Sequence, residues 1–258
     1  MITVKSAREV DTMARAGRIV AGTLALVREQ ALPGVSTWEL DRHAEAFIRS
    51  HTGATPSFKG LYGFPASLCT SINAEVVHGI PSKKRVLREG DIVSVDCGVC
   101  VGGLHADSAV TVPVGAIAPE AQALLDATQK ALEAGIAVVK AGCQVGDIGA
   151  AVQAVAEAAG YSVVRELVGH GIGSQFHEEP QVPNFGAKGT GPRLVPGMTI
   201  AIEPMVNAGA PDVRTLGDRW TVVTKDGSLS AHFEHTVAVK DDGARILTLG
   251  EAYSTSVV

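Results

Sequence analysis

The chain has 258 residues, 46% of them hydrophobic, and a formal net charge of −5. That size and apolar content suit one large domain or two tightly joined halves around a substantial core, and exclude a mini-protein that depends on staples. Dispersed lysines and arginines give no basic stripe for nucleic acid, and no segment reaches membrane-spanning length without charge or glycine; the first residues, Met1-Ile-Thr-Val-Lys-Ser-Ala-Arg-Glu9, lack an apolar signal core, so a soluble cytoplasmic protein with no DNA or membrane partner is expected.

Ser6 opens a run of helical period over residues 7–30, which Pro33-Gly34 ends. A second helix starts at the capping-box pattern Ser36-Thr-Trp-Glu39 and closes at His51-Thr-Gly53. The Gly- and Pro-rich residues 55–65 are predicted as loop, with a strand after them near residues 67–72. Ile92-Val-Ser-Val-Asp96-Cys-Gly and Leu104-His-Ala-Asp107-Ser-Ala-Val flank the turn signal Val101-Gly102-Gly103 and predict a β-hairpin. Helices follow over residues 119–140 and 145–159, then strands near 162–165, 198–202, 220–224 and 231–239. Both halves run helix, helix, strands. The class is therefore α+β, with two related units of about residues 1–117 and 118–258 forming a single domain, because no linker-like segment separates them. No convincing residue-level repeat relates the two halves.

Five scattered residues carry the chemistry: Asp96, Asp107, His170, Glu203 and Glu234. Four carboxylates and one imidazole, brought together, make a site for two divalent metal ions. With a two-residue turn at Val101-Gly102 or at Gly102-Gly103, hairpin residues whose numbers sum to an odd value share a face, so Asp96 and Asp107 project together. Two like charges about 5 Å apart repel, and a cation between them is the simplest compensation. An oxygen-rich set with one imidazole suits Mn, Co, Fe(II) or Zn, and the lack of a cysteine ligand argues against a structural zinc knot. A carboxylate bridging two such ions belongs to centres that activate water. Of the four cysteines, Cys69, Cys97, Cys100 and Cys143, the Cys97-Gly-Val-Cys100 pair has no partner motif and opens no helix, so all four are read as reduced thiols.

The runs Ser71-Ile-Asn-Ala-Glu-Val-Val-His78-Gly-Ile-Pro, Val95-Asp96-Cys-Gly, His105-Ala-Asp107, Gly169-His170-Gly-Ile-Gly-Ser-Gln-Phe176-His177-Glu-Glu-Pro, Ala201-Ile-Glu203-Pro-Met and Ala231-His-Phe-Glu234-His-Thr extend over essentially the whole chain. Together they resemble the type I methionine aminopeptidases of the pita-bread, or creatinase/aminopeptidase-like, fold. The resemblance implies two pseudo-symmetric halves with antiparallel strands flanked by helices. It also implies a dinuclear metal-dependent aminopeptidase that removes the initiator methionine from nascent proteins and prefers a small second residue. Asp96 is then a chelating ligand of one ion, Asp107 and Glu234 bridge, and His170 and Glu203 ligate the other. Glu203 handles protons while a hydroxide held between the ions attacks the scissile carbonyl, and His78 and His177 contact the scissile peptide. Phe64, Cys69 and Trp220 match a methionine pocket, while Leu61 stands where an aromatic is common and Phe58 where some members have cysteine. Asn73 and Ser230 match positions around a monovalent-cation site. Nascent N-termini are the expected partners, with a transient ribosome contact and a monomeric state.

Of the remaining histidines, His43 and His51 are expected at the surface, and His105, His232 and His235 in packing or supporting roles beside the ligands. Prolidases and X-Pro aminopeptidases share the five-ligand pattern but usually carry an extra N-terminal domain, whereas only a short lead-in precedes the first helix here. Type II methionine aminopeptidases carry a helical insertion between the positions of His177 and Glu203, and that interval is short here. An X-Pro peptidase and a non-catalytic peptide- or ribosome-binding member of the same fold are the alternatives; loss of ligands would favour the latter, and all five are present.

Overall fold

The computed structural model describes residues 2–250. The elements run α1 (Ala7–Gln30), α2 (Thr37–Ser50), β1 (Ala54–Pro56), β2 (Leu68–Ile72), β3 (Glu75–Val77), β4 (Ile92–Val101), β5 (Leu104–Pro113), α3 (Pro119–Ala137) and α4 (Val145–Ala158). They continue β6 (Ser162–Val163), β7 (Gly169–Gly171), β8 (Glu178–Val182), β9 (Thr199–Ile202), β10 (Met205–Asn207), β11 (Val213–Thr215), β12 (Val222–Thr224), β13 (Ser230–His232), β14 (His235–Val239) and β15 (Ala244–Ile246).

Local chemistry explains the first two helices. Ser6 and Ser36 each accept a hydrogen bond from the backbone N–H three residues on, and Glu9 and Glu39 reach back to the capping N–H, satisfying donors that a bare helix start would leave open. Along α1, Met13, Ala16, Val20, Leu24 and Val27 recur at spacings of three and four residues, and this stripe is buried. It packs against β4 and β5. The residues 55–65 predicted as loop are not wholly irregular: β1 pairs with the end of β4, and a single 3-10 turn spans Leu61–Gly63. The predicted 231–239 strand breaks at Phe233-Glu234 into β13 and β14, which belong to different sheets.

In the first half, β4 pairs along one edge with β5 and along the other with β2 and β1 in succession. The largest sheet of the second half has the order β15-β14-β9-β7-β8, and two three-stranded sheets, β13-β10-β6 and β11-β12-β3, complete the set. One apolar cluster is drawn from residues 16–114, and another from residues 121–239 with Ile92 added. A third joins Met13, Phe58 and Phe64 to Ile172, Phe176 and Leu247 across both ends of the sequence. The site lies along this seam.

Candidate metal centre and its cavity

The hairpin turn falls at Gly102-Gly103, both with positive φ, and sets Val101 opposite Leu104. Asp96 on β4 is therefore opposite Ala109, and Asp107 on β5 is opposite Gly98. The two carboxylates share a face, as parity requires, but sit on a diagonal two residues apart rather than directly across. Beyond β4, Cys69 on β2 is the register partner of Asp96.

Hydroxyl groups fasten β5 to the second half. The Asp107 N–H donates to Thr236 Oγ1 at 2.9 Å, and that hydroxyl donates to the Asp107 carbonyl at 2.8 Å. Thr111 Oγ1 repeats the pattern with the His232 N–H and carbonyl at 2.8 and 2.9 Å. Between these clamps the Glu234 N–H donates to the Ala109 carbonyl at 2.9 Å. The strand break at Phe233-Glu234 thus presents the Glu234 carboxylate to the two aspartates.

His170 occupies the middle of β7, where its flanking glycines permit close backbone approach. A Cβ on Gly169 would lie 2.4 Å from the Ala201 carbonyl oxygen, and one on Gly171 2.2 Å from that of Glu179. His170 Nδ1 lies 2.8 Å from the Gly171 carbonyl, which can only accept, so the ring proton sits there and Nε2 offers its lone pair to the site. That Nε2 faces Glu203 Oε1 at 3.7 Å. Two electron-rich atoms at that separation call for a cation. Glu203 follows β9, with its other oxygen 3.6 Å from His232 Nε2 and its carbonyl accepting from Asn184 Nδ2 at 3.0 Å.

Asp107, His170 and Glu234 each place a ligand atom within 4.8 Å of the others. Asp96 lies against Asp107 on one side, and Glu203 against His170 on the other. Asp96 Oδ1, Asp107 Oδ1 and Glu234 Oε1 are buried without any hydrogen-bond partner. Burial pushes the Asp96 carboxyl up to about 6. Burial and the neighbouring carboxylates push Asp107 and Glu234 well above the usual carboxylate range. Glu203 differs: burial opposes its charge, but the surrounding His232, His170 and His78 imidazoles outweigh it and hold the carboxyl below its ordinary value. Orphaned, mutually repelling oxygens around one free imidazole nitrogen fit hard or borderline divalent cations.

Asp96, Asp107, His170 and Glu203 form one end of a cavity of ≈ 220 Å³. Glu234 lies at this end of the site and is 1% exposed. The rest of the wall is mainly apolar: Phe58, Leu61, Phe64, Cys69, Phe176 and Trp220 all line it, so Leu61 and Phe58 preserve its character. Phe64 meets Trp220 edge-on at 5.1 Å, and Phe58 meets Phe176 edge-on at 5.3 Å. Burial and the nearby Asp96 and Asp107 push the Cys69 thiol well up, so it is a packing group rather than a nucleophile.

His78 and His177 reach the same cavity. His78 is held at φ +60°, a conformation uncommon for a side-chain-bearing residue, and burial lowers its pKa. His177 stands edge-on to His170 at 4.4 Å and stacks on Tyr62 at 5.8 Å; burial, then His170, lower its pKa to about 4. Sequence reasoning assigned no role to Tyr62, which stands exposed at the rim. The sequence signal was its place in the glycine-bounded run Gly60-Leu61-Tyr62-Gly63, whose two glycines take positive φ in the structure.

Of the histidines beside the ligands, His232 faces Glu203, while His105 and His235 turn elsewhere. His105 Nδ1 bonds Ser57 Oγ at 2.8 Å, and His235 Nδ1 bonds Thr248 Oγ1 at 2.8 Å. His43 is exposed, and His51 Nδ1 donates to the Phe47 carbonyl. Asn73 and Ser230 meet outside the cavity, where the Ser230 N–H donates to the Asn73 carbonyl at 2.9 Å. All four cysteines are free.

Residues 11–241 match metallopeptidase family M24. The chain belongs to this family. Among M24 relatives, it is 54% identical to a methionine aminopeptidase of Clostridium perfringens, over 96% of this chain and 99% of that protein. It is 46% identical to the methionine aminopeptidase of Escherichia coli K12, over 96% and 94%. The solved methionine aminopeptidase of Rickettsia prowazekii superposes with a TM-score of 0.94 at 43% identity, covering 96% of this chain and 100% of that one. A prolidase from Pyrococcus furiosus, at 20% identity and a TM-score of 0.77, shares the fold; this chain covers 66% of it. The architecture is thus the α+β pita-bread fold of M24 metallopeptidases. Among the described residues no helix is long and apolar enough to cross a membrane.

Proposed function

We propose that this M24 metallopeptidase removes the initiator methionine from nascent polypeptides, preferring a small second residue. Relatives named methionine aminopeptidase at about half identity over nearly their whole length support the reading. The observation that carries it is the placing of the orphaned Asp96 and Asp107 oxygens, with that of Glu234 beside them, at one end of a largely apolar cavity large enough for one side chain. Two divalent ions, drawn from Co, Mn, Fe(II) or Zn, would be held by Asp96, Asp107, His170, Glu203 and Glu234, and when bound they supply the polarisation that activates water.

The chain's own residues do the rest. Glu203, kept ionised among imidazoles, accepts a proton from the attacking water and passes it toward the leaving amine. His78 and His177, kept neutral near pH 7 by burial, offer N–H donors to the scissile peptide. Phe64, Cys69 and Trp220 receive the methionine side chain, whose thioether gains from contact with aromatic edges. Residues 1–258 act as one catalytic domain, monomeric and cytoplasmic, meeting nascent chains through a transient ribosome contact. Asn73 and Ser230 border a monovalent-cation site.

The test compares hydrolysis of Met-Ala-Ser with that of Ala-Pro-containing peptides, with divalent metal added back after chelation. Release of methionine alone, dependent on metal, is expected; faster cleavage before proline would replace this reading with an X-Pro peptidase.

A further inference from the structure

The segment before α1 lies outside the residues that match the family, yet it reaches the site. Ile2 forms a parallel bridge with Glu179, and the Lys5 N–H donates to the Gly197 carbonyl at 2.7 Å. Lys5 Nζ pairs with Glu178 Oε2 at 2.6 Å, and the two side chains are only 6% and 5% exposed. Thr3 Oγ1 bonds both partners. A buried ion pair is justified only where good geometry and further hydrogen bonds satisfy it, and where breaking it leaves an uncompensated charge.

Its place gives it a task. Glu178 directly follows His177, and its second oxygen accepts the Gln175 N–H at 3.1 Å. The loop from Gly173 to Glu178, which carries Phe176 and His177, is therefore tied down at its end by a cation from the segment before α1. Gly173 shows how closely the pair packs on this loop: a Cβ there would lie 2.4 Å from Lys5 Cε and 2.6 Å from Glu178 Oε1. The loop's start is held separately, by the His105 N–H donating to the Gly173 carbonyl at 2.9 Å.

We propose that Lys5 is a positioning residue for His177, acting through its buried ion pair with Glu178, so that the N-terminal segment is a working part of the catalytic site. The proposal rests on the role given to His177 above. A small drift of an N–H donor loses transition-state contact while leaving the cavity and the cation ligands in place.

The experiment is a double-mutant cycle on Met-Ala-Ser in metal-loaded full-length protein, with bound metal measured for each variant. Lys5→Met should lower kcat roughly 10- to 100-fold with little change in KM or metal content, and Lys5→Arg should recover most of the loss. In a His177→Ala background, Lys5→Met should have no further effect on kcat. Glu178→Gln, which keeps volume and the Gln175 bond, should mimic Lys5→Met and decides the matter if that variant does not fold. Unchanged kcat in both Lys5→Met and Glu178→Gln, or losses that multiply in the double variant, would overturn the positioning role. Full activity of His177→Ala alone would instead overturn the underlying assignment of His177.

Discussion

The two ends of the cavity are built on opposite principles. At the apolar end, Phe58, Phe64, Phe176 and Trp220 satisfy one another through edge-on contacts and need nothing more to be stable. At the acidic end, β4, β5 and the β13–β14 break converge on oxygens that have no protein partner and cannot all be ionised together. A pocket that is complete without its ligand can discriminate by shape; a cluster that is incomplete without cations can be held open only by a rigid frame. That frame is visible in the Thr111 and Thr236 hydroxyls, which bolt β5 to the second half on either side of Glu234. In the proposed reading, specificity and chemistry are built in adjoining regions with different needs.

The contrast predicts a graded series of losses. His170→Ala removes the proposed imidazole ligand, and activity should fall to background together with loss of bound metal in elemental analysis. His177→Ala should lower kcat by about 10² to 10³, the usual consequence of losing one oxyanion donor, while metal content stays near wild type. If both variants lose metal equally, His177 belongs to the acidic end and its assignment is wrong. Phe64→Ala strikes only the apolar end: kcat/KM for methionine peptides should fall by about 10- to 200-fold, with metal retained. Unchanged kinetics on several methionine peptides would remove Phe64 from the pocket.

The smallest effect is on stability and distinguishes the ends by pH. Asp96, Asp107 and Glu234 have folded-state pKa values raised above their unfolded ones, so the metal-free native state binds more protons than the unfolded state. Their contribution to stability is present at low pH and is lost as pH rises from about 4, the unfolded value, through about 6 for Asp96. Thermal unfolding of chelated protein should therefore show this loss between pH 4 and 7, and added Mn should restore Tm at pH 7 far more than at pH 4. An equal gain at both values would mean that the cations bind elsewhere.

Much of this was legible in local sequence. Ser6 with Glu9 and Ser36 with Glu39 announce their helices because capping is settled within four residues. The five acidic and imidazole positions stand out because each sits in a distinctive run, and hairpin parity places Asp96 and Asp107 on one face whichever turn forms. Parity could not choose between opposition and the diagonal; Gly102-Gly103 decides that only once the register is known. Strands β1, β3, β7, β8, β10, β11 and β15 were not predicted, since three to five residues are too few to show alternation and Gly169 and Gly171 speak against a strand. Thr236 and Thr111 read as ordinary strand formers, and Lys5 lies 173 residues from Glu178. Their roles exist only in the assembled fold.

The most direct measurement titrates Mn into chelated protein while following methionine release from Met-Ala-Ser and bound metal in the same samples. The account predicts no release in metal-free protein, and activity that rises with the metal held by Asp96, Asp107, His170, Glu203 and Glu234. Full activity in protein shown by elemental analysis to be metal-free would contradict it.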